Sequence, residues 1–382
     1  MLSHSESKFP NLGISIFPTM SALAQQHGAI NLAQGFPGFS VDQDLIDLVY
    51  KYMSNGLNQY SPMVGVLKLR EALSIKQKKL HQLYYNPESE ITICAGATEA
   101  VFSAIGAVIN EGDEVICFEP VFDIYPPAVL LNKGKLVRIK LKQPHFDYDW
   151  DEVKSKTNSK TKLIILNSPH NPTGKVLTSS DINQLADIVK DTNIILLSDE
   201  VYEHMVFDKK QHICIATHPD LKNRTIIVAS LGKVFHCTGW RIGYCLAPEK
   251  LSAEIRKIHQ FVTFSANTAI QYAMAEYLES EHHYLKLPDY FQQKRDFFAS
   301  RLTNTSFKLL ASEGSYFQLA SYSGISQRSD IEFAQMLTIK HGVASIPISC
   351  FYDDGQDDKI IRFCFAKDTN ELEEAASRLA DL

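Results

Sequence analysis

The sequence lacks any apolar run long enough to form a membrane-spanning helix. Its first residues, Met-Leu-Ser-His-Ser-Glu-Ser-Lys, are too polar for a secretory signal. No internal repeat and no low-complexity tract is present. We therefore expect a protein of the cytoplasm that has no membrane contact.

Paired redox and metal-ligand motifs are missing as well. The 7 cysteines show no C-x-x-C spacing and several fall within apolar runs, so we interpret them as reduced core residues. Cys237 is the one candidate for a reactive thiol because it follows Lys233 closely, although a structural role is favoured. The 13 histidines include no H-x-x-x-H or H-E-x-x-H pair, and the sequence therefore predicts no metal site.

An excess of positive charge is the third absence. There are 38 Lys and Arg against 44 Asp and Glu, which gives a formal net charge of -6, and the basic residues are dispersed. Nucleic-acid binding is therefore not expected. The 382 residues, 45% apolar and 21% charged, are enough for two globular domains with a large core.

Strand-like apolar segments alternate with helical segments through the middle of the chain. This alternation predicts an α/β fold with a largely parallel sheet, covered by helices at 97–108 and 179–190. The predicted strands are 91–94, 114–118, 135–140, 162–167, 194–198, 225–230 and 242–247.

The pattern changes near residue 285. A charged helix, alternating strands and two further helices then predict a smaller α+β domain, which ends in a helix from 370 to 382. Before residue 40 the sequence is irregular and is interrupted by Pro10, Pro18 and Pro37, which indicates an arm. The predicted organisation is an arm (1–40) that contributes to the small domain and the active site, a large domain (41–284) and a small domain (285–382).

Polar side chains follow the predicted strands at their carboxyl ends, where open α/β sheets bind ligands. Lys233 lies among small residues after the strand at 225–230, which is a suitable setting for a lysine that forms a Schiff base. Asp199 follows a buried run and needs a cationic or hydrogen-bonding partner, unless it only caps a helix. Tyr202 adds a phenol, and Asn171 adds an amide that would also suit a turn. A lysine combined with such an acid is typical of proteins that bind pyridoxal 5'-phosphate (PLP).

A second group of residues would suit a phosphate. Small residues at Gly96 and Ala97, followed by Thr98, lead from a strand into a helix, whose N-terminus favours anions. A plain tight turn would use the same residues. Ser230 and Arg241 flank the lysine and would add a hydroxyl and a fixed positive charge. Arg241 lies in an apolar, glycine-flanked segment, where an unpaired charge would be costly.

Taken in order, these motifs resemble the class I aminotransferases of PLP fold type I. The matching segments are Asn-Pro-Thr-Gly at 171–174, Asp199 with Tyr202, Ser230 with Lys233, and Arg241, and they extend over nearly the whole chain. Gln-Gly-Phe-Pro at 34–37 and Ser-Asp-Glu-Val-Tyr at 198–202 further resemble the kynurenine, glutamine and methionine transaminases, the methionine aminotransferases above all. The resemblance implies a large domain whose mostly parallel sheet has one antiparallel strand, together with a smaller α+β domain.

The resemblance also implies roles for single residues. Lys233 would form the Schiff base and then act as the proton shuttle, while Asp199 would keep the ring nitrogen protonated. Asn171 and Tyr202 would hydrogen-bond the ring hydroxyl oxygen. Arg362 would grip the substrate carboxylate bidentately, assisted by Asn171 and the backbone of Gly35. The remaining cofactor contacts would come from Gly96, Ala97, Thr98, Ser230 and Arg241 at the phosphate, from Phe122 on the ring, and from Tyr60 of the neighbouring subunit in an obligate homodimer.

The substrate preference is less determined. A group of apolar candidates would suit a long neutral side chain, such as that of methionine, glutamine, kynurenine or an aromatic amino acid. No second arginine matches a distal carboxylate, which argues against aspartate. The candidates are Ile16, Phe17, Phe36, Tyr60, Phe122 and Phe264, of which Phe17 and Phe264 would serve equally well as core residues.

The expected activity is ping-pong transfer of an α-amino group to a 2-oxo acid. Two alternatives remain. A C–S β-lyase would use the same residues to release pyruvate and a thiol, and a PLP-binding regulator without catalysis would need a DNA-binding extension that the short polar segment before Phe9 is too short to provide. The sequence departs from its relatives at the Gly-Ala-Thr turn and at His236 and Cys237, and neither change removes a catalytic group.

Overall fold

The computed structural model describes residues 7–9, 13–380 and 382, so Pro10 of the predicted arm lies outside the described residues. Thirteen strands are present there. In chain order they are β1 (Ile30–Asn31), β2 (Ile91–Cys94), β3 (Glu114–Glu119), β4 (Lys135–Lys140), β5 (Thr161–Asn167), β6 (Ile195–Asp199), β7 (Thr225–Ser230), β8 (Gly243–Leu246), β9 (Lys308–Leu309), β10 (Phe317–Ser321), β11 (Val343–Ala344), β12 (Ile346–Pro347) and β13 (Ile360–Cys364).

The central element is a seven-stranded sheet in the order β2-β8-β7-β6-β5-β3-β4. β8 runs antiparallel to β2 and β7, while the remaining neighbours pair in parallel. The sequence-predicted α/β fold with one antiparallel strand is therefore confirmed. The seven predicted strands are those of this sheet, because fully buried strands are continuous apolar runs that the sequence reveals directly.

Helices cover both faces of this sheet. Successive strand residues face opposite sides, so Val115 and Cys117 pack with the helices at residues 97–108, 125–131 and 249–262, whereas Ile116 packs on the side of the helices at 150–156 and 179–189. The helices are α1 (Ile16–His27), α2 (Gln43–Ser54), α3 (Leu67–His81), α4 (Ala97–Val108), α5 (Tyr125–Leu131), α6 (Trp150–Lys156), α7 (Ser179–Val189), α8 (Leu231–Val234), α9 (Glu249–Val262), α10 (Thr268–Tyr277), α11 (His282–Leu285), α12 (Leu287–Leu302), α13 (Asp330–Met336) and α14 (Thr369–Leu379).

The C-terminal part contains a second sheet of four strands, in the order β12-β13-β10-β9, which are all antiparallel. β13 lies inside this sheet, and Arg362 pairs with Leu319 on one side and with Ile346 on the other. This change from a parallel to an antiparallel sheet agrees with a smaller α+β unit, while the domain limits at residues 40 and 284 remain predictions.

The N-terminal segment differs from the sequence prediction. It is not irregular throughout, because Ile16–His27 forms the regular helix α1. Pro18 is compatible with this helix since it lies in the first turn, where a backbone N–H has no partner within the helix. α1 packs against the π-helical turn Leu337–His341 and β11, and β1 pairs in parallel with β11. The stretch therefore joins the C-terminal part of the chain. Within the described residues, no helix combines the length and apolar character needed to cross a membrane.

Candidate active site

A cavity of about 360 Å³ opens at the carboxyl ends of β5, β6 and β7. Because these strands are parallel, their last residues Asn167, Asp199 and Ser230 meet at one edge of the sheet. Most of the residues predicted for the site line this cavity. They are Gly35, Phe36, Ala97, Thr98, Phe122, Asn171, Asp199, Tyr202, Ser230, Lys233, Arg241 and Arg362.

Lys233 is carried by the short helix α8, directly after β7. The Ser230 hydroxyl caps this helix by accepting a hydrogen bond from the Lys233 backbone N–H at 3.3 Å. The Lys233 ammonium donates to the Gly35 carbonyl at 2.8 Å and to the Tyr316 hydroxyl at 2.7 Å. Burial, followed by the positive charges of Arg362 and Arg241, lowers the pKa of the Lys233 amine to about 8. The ammonium is therefore still the main form near physiological pH, but the neutral amine is a far larger minor fraction than for an ordinary lysine.

Asp199 ends β6 and is only 4% exposed. Its Oδ2 accepts a hydrogen bond from the Tyr125 hydroxyl at 2.7 Å, and its Oδ1 accepts one from the Val201 N–H at 3.3 Å. Burial raises the pKa of Asp199 to about 6, and the Tyr125 hydrogen bond opposes this shift by favouring the carboxylate. Asp199 is thus a buried, oriented anion at neutral pH.

Arg362 reaches the other side of the cavity from β13. Its Nη1 donates to Asn171 Oδ1 at 2.6 Å and its Nη2 to the Ala33 carbonyl at 3.0 Å, while its Nε has no hydrogen-bond partner among the described residues. Its guanidinium carbon lies 3.9 Å from the ring centroid of Phe317. Burial lowers the pKa of Arg362 to about 10, so the side chain stays charged at neutral pH. A buried cation with an unused N–H donor is suited to bind a carboxylate.

Asn171 is held in place by a second asparagine. Asn167 Oδ1 accepts from the Asn171 backbone N–H at 2.7 Å, and Asn167 Nδ2 donates to the Asp199 carbonyl at 2.9 Å. Asn167 therefore links the end of β5 to the end of β6 and fixes the turn that presents the Asn171 amide.

The predicted phosphate turn begins α4. Gly96 has φ +85°, and a Cβ on Gly96 would lie 2.5 Å from Arg241 Nη2. Arg241 Nη1 donates to the Thr238 carbonyl at 3.0 Å, and Nη2 lies 3.4 Å from Thr98 Oγ1. Glu99 supports the turn from behind, because its Oε2 accepts from the Ala95 N–H at 3.0 Å. The N–H groups at the start of α4 and the Arg241 guanidinium therefore make up a candidate anion site, and both the positive φ and the nearby guanidinium favour glycine at position 96.

Four predicted residues do not line the cavity of this chain: Gly96, which lies behind Arg241 at the start of α4, and Tyr60, Phe264 and Ile16. Tyr60 is 83% exposed and Phe264 is 47% exposed, and their rings contact each other edge to face at 5.3 Å. Ile16 was predicted for the substrate pocket, but its neighbour Phe17 lines the cavity instead. Both residues pack against the same core cluster, but successive helix residues lie about 100° apart, and only Phe17 also reaches the cavity.

Sequence reasoning missed four residues at the site: Asn167, Tyr125, Tyr316 and Phe317. Asn167 could have been predicted by the criterion used for Asp199, because it is also a polar residue that follows a buried apolar run. Tyr125 lies close to the predicted Phe122 but is separated from its partner Asp199 by 74 positions. Phe317 begins β10 and Tyr316 directly precedes it, and neither residue belongs to a motif that marks it.

The whole chain matches known proteins. Residues 28–379 match the family model for aminotransferase class I and II. Methionine aminotransferase from Escherichia coli (strain K12) is 47% identical over 99% of this chain and 98% of its own length. The solved structure of YbdL from Escherichia coli, described with a methionine aminotransferase function, superposes with a TM-score of 0.97 at 47% identity over 100% of both chains.

A more distant relative has a different named activity. Kynurenine-oxoglutarate transaminase from Dictyostelium discoideum is 35% identical over 97% of this chain and 95% of its own length. The resemblance deduced from the motifs is thus confirmed. The chain belongs to the class I and II aminotransferase family, whose members in general depend on PLP and move the amino group of an amino acid to a 2-oxo acid.

Proposed function

We propose that this transaminase holds PLP in the cavity at the sheet edge and takes neutral amino acids as donors, with methionine as a preferred one. The observation that carries the proposal is a single cavity lined by an amine, an acid and a guanidinium: Lys233, Asp199 and Arg362. These are the three groups needed to bind an aldehyde, a ring nitrogen and an amino-acid carboxylate.

The groups at the cavity fit PLP. The anion site at Gly96, Ala97, Thr98 and Arg241 suits the phosphate, and Ser230 adds a hydroxyl on the same side. Asp199 suits a protonated ring nitrogen, because a buried carboxylate needs a cationic partner. Asn171 and Tyr202 would hydrogen-bond the ring hydroxyl oxygen, and Phe122 would pack on the ring. When bound, PLP supplies an aldehyde that condenses with amines and a ring that accepts an electron pair.

Lys233 is then the general base. Its amine, with a pKa near 8, would take the proton from the substrate Cα and would deliver it to the cofactor carbon when PLP is bound. With PLP bound, Asp199 would hold the proton on the ring nitrogen, since its carboxyl group is mostly ionised above pH 6. Arg362 fixes the substrate carboxylate, so that the Cα–H bond is presented to Lys233.

The lining of the cavity supports a neutral side chain. Within the described part of the chain, Lys233, Arg241 and Arg362 are the only basic residues of the lining. The remaining walls include Phe17, Phe36, Ile124 and Phe317, which suit an apolar thioether or an aromatic group. The 47% identity to a methionine aminotransferase favours methionine within this class.

Absorbance of the purified protein with PLP tests the proposal. A yellow species that bleaches on addition of L-methionine, and that returns on addition of a 2-oxo acid, is expected from the two half-reactions. Failure to develop colour with PLP would overturn the cofactor assignment. Release of pyruvate and a thiol from cysteine conjugates, without bleaching by methionine, would instead favour the β-lyase.

Gly96→Ala is expected to weaken PLP binding by at least about tenfold. The added Cβ would lie 2.5 Å from Arg241 Nη2, and φ +85° is strained for alanine, so either the guanidinium or the turn must move. The matched control is Gly106→Ala within α4, where the nearest heavy atom beyond the local helix backbone lies 3.7 Å from a new Cβ. Titration of both variants with PLP measures the dissociation constant, and equal affinity for the two would contradict the anion site.

Arg362→Lys is expected to lower kcat/KM for L-methionine about 100-fold. The change keeps the positive charge but removes the planar fork that can hold a carboxylate with two hydrogen bonds. L-Methioninamide has no carboxylate, so its reaction should fall far less. Arg224→Lys is the control, because Arg224 donates to the carbonyls of Val189 and Thr192 away from the cavity. An equal loss with both substrates would mean that Arg362 acts only through the fold.

We also propose that the active sites are shared in a homodimer. Exposed Tyr60 and Phe264, next to exposed Phe261 and Val262, would then cover the partner's cavity. Light scattering of the purified protein tests the dimer.

None of the 7 cysteines, all within the described residues, forms a disulfide, which supports a reducing compartment such as the cytoplasm.

A further inference from the structure

Tyr316 is a buried residue next to Lys233 to which the proposed function gives no role. It precedes β10, and its ring is fixed by edge-to-face contacts with Tyr202 at 5.1 Å and with Phe317 at 4.9 Å. A ring packed in this way cannot move its hydroxyl group without displacing its neighbours. The hydroxyl oxygen of Tyr316 is therefore a fixed point in the site.

The hydrogen bonds around this oxygen have a defined direction. The Tyr316 hydroxyl donates to the Gly35 carbonyl, and its lone pair accepts from the Lys233 ammonium at 2.7 Å. The same ammonium donates to the Gly35 carbonyl at 2.8 Å. The Lys233 ammonium thus donates to two neutral acceptors, the Gly35 carbonyl and the Tyr316 hydroxyl. These hydrogen bonds orient the amine towards the N-terminal segment.

The second acceptor is fixed as firmly as the first. A Cβ on Gly35 would lie 2.8 Å from Phe317 Cζ, so only glycine allows this carbonyl to come so close. The N-terminal segment that contains Gly35 is hydrogen-bonded to the C-terminal part of the chain. Cys364 N donates to the Leu32 carbonyl and Gly38 N donates to the Ala366 carbonyl, each at 2.8 Å. The position of the amine is therefore set by two chain segments that converge on it.

We propose that Tyr316 is a positioning residue that, together with the Gly35 carbonyl, docks the free amine of Lys233. This inference rests on the proposed function, because a transaminase needs the lysine both joined to its cofactor and released as a base. The Tyr316 hydroxyl and the Gly35 carbonyl together hold the released Lys233 amine within the cavity and restrict the orientations of its side chain. Tyr316 acts through Lys233 and is not itself the base.

Tyr316→Phe isolates this hydroxyl. The ring and its packing are kept, while the Lys233 ammonium loses one acceptor. A hydrogen bond to a charged donor stabilises the charged form, so the pKa of the Lys233 amine should fall by about one unit, which is a tenfold change in the ionisation constant. The other groups that set this pKa are Arg362, Arg241, Asp199 and Cys364, and the substitution leaves all of them in place.

The pKa is measured on cofactor-free protein. Competitive labelling with acetic anhydride across a pH series, followed by mass spectrometry of the Lys233 peptide, gives the ionisation of this one amine without any need for activity. In the PLP-loaded enzyme, the acid limb of kcat should move to lower pH by the same amount, and kcat at its plateau should fall about tenfold because the amine is less well oriented.

Tyr322→Phe is the matched control. Tyr322 is buried in the second sheet region and donates to the Arg328 carbonyl, so this variant also loses one buried tyrosine hydroxyl bond but leaves Lys233 untouched. Its Lys233 pKa and pH profile should equal those of the wild type. An unchanged Lys233 pKa in Tyr316→Phe, with both variants folded, would overturn the docking role. Absence of colour with PLP would overturn the proposed function instead, while the labelling result would stand by itself.

Discussion

Replacing Lys233 by alanine is expected to lower kcat for transamination of L-methionine about 10⁴-fold. The substitution removes the amine that takes the proton from the substrate Cα, and a positioned general base of this kind contributes up to about 10⁴ in rate. The variant should still fold, because the backbone hydrogen bond from residue 233 to Ser230 is independent of the side chain. Single-turnover absorbance with L-methionine measures the loss directly.

Rescue of Lys233→Ala by an added amine distinguishes the loss of the general base from other effects of the substitution. The truncated side chain leaves room in the cavity for a small amine such as methylamine, which should restore part of the lost rate in proportion to its neutral fraction. Rescue stays partial because a free amine lacks the orientation that the chain gives to Lys233. Lys294→Ala is the control, since Lys294 donates to the Lys367 carbonyl outside the cavity and should leave kcat unchanged. Turnover of Lys233→Ala at the wild-type rate would refute the assignment.

The sheet and its polar edge could be predicted because both leave local marks in the sequence. β5, β6 and β7 each contain an apolar run, and each strand ends in a polar residue: Asn167, Asp199 or Ser230. Parallel pairing then brings these ends together without further information. Lys233 and Asp199 could be found in this way, because β6 and β7 are neighbours and Lys233 follows directly after β7.

Contacts between distant segments leave no such mark. The Lys233 ammonium donates hydrogen bonds to Tyr316, which is 83 positions away in the sequence, and to Gly35, which is 198 positions away. Tyr316 lies in Gly-Ser-Tyr-Phe at 314–317, where neither periodicity nor spacing separates it from an ordinary core tyrosine. Its role depends on how the N-terminal segment and β13 pack against the large sheet, and local sequence patterns do not specify that packing.

The N-terminal segment was misinterpreted for a related reason. α1 buries only Met20 and Ala24, so its apolar pattern is weak, and Pro18 suggested a break where the first helical turn tolerates it. Without a helix, Ile16 and Phe17 could not be told apart. The helix gives them different directions, and only Phe17 reaches the cavity.

Asp199→Ala is expected to lower kcat about 10³-fold while PLP remains bound. Loss of one partner from a buried, hydrogen-bonded ion pair costs about 3–5 kcal/mol, and in the proposed function that partner is the proton on the ring nitrogen. Retention of PLP is expected because the anion site and Lys233 are separate from Asp199 and are not altered. Stability should fall by about 1–3 kcal/mol, since the buried Tyr125 hydroxyl loses its acceptor.

A cofactor analogue methylated at the ring nitrogen distinguishes this mechanism from a general structural defect. The analogue carries a fixed positive charge that needs no carboxylate to maintain it, and the alanine leaves room for the added methyl group. It should therefore raise kcat of Asp199→Ala while lowering kcat of the wild type, in which it would clash with the carboxylate. Asp330→Asn is the control, because Asp330 is a buried acid that binds Ser349 outside the cavity and should affect stability alone. If the analogue left Asp199→Ala as slow as PLP does, Asp199 would act by orienting Tyr125 and the end of β6 rather than by holding a proton.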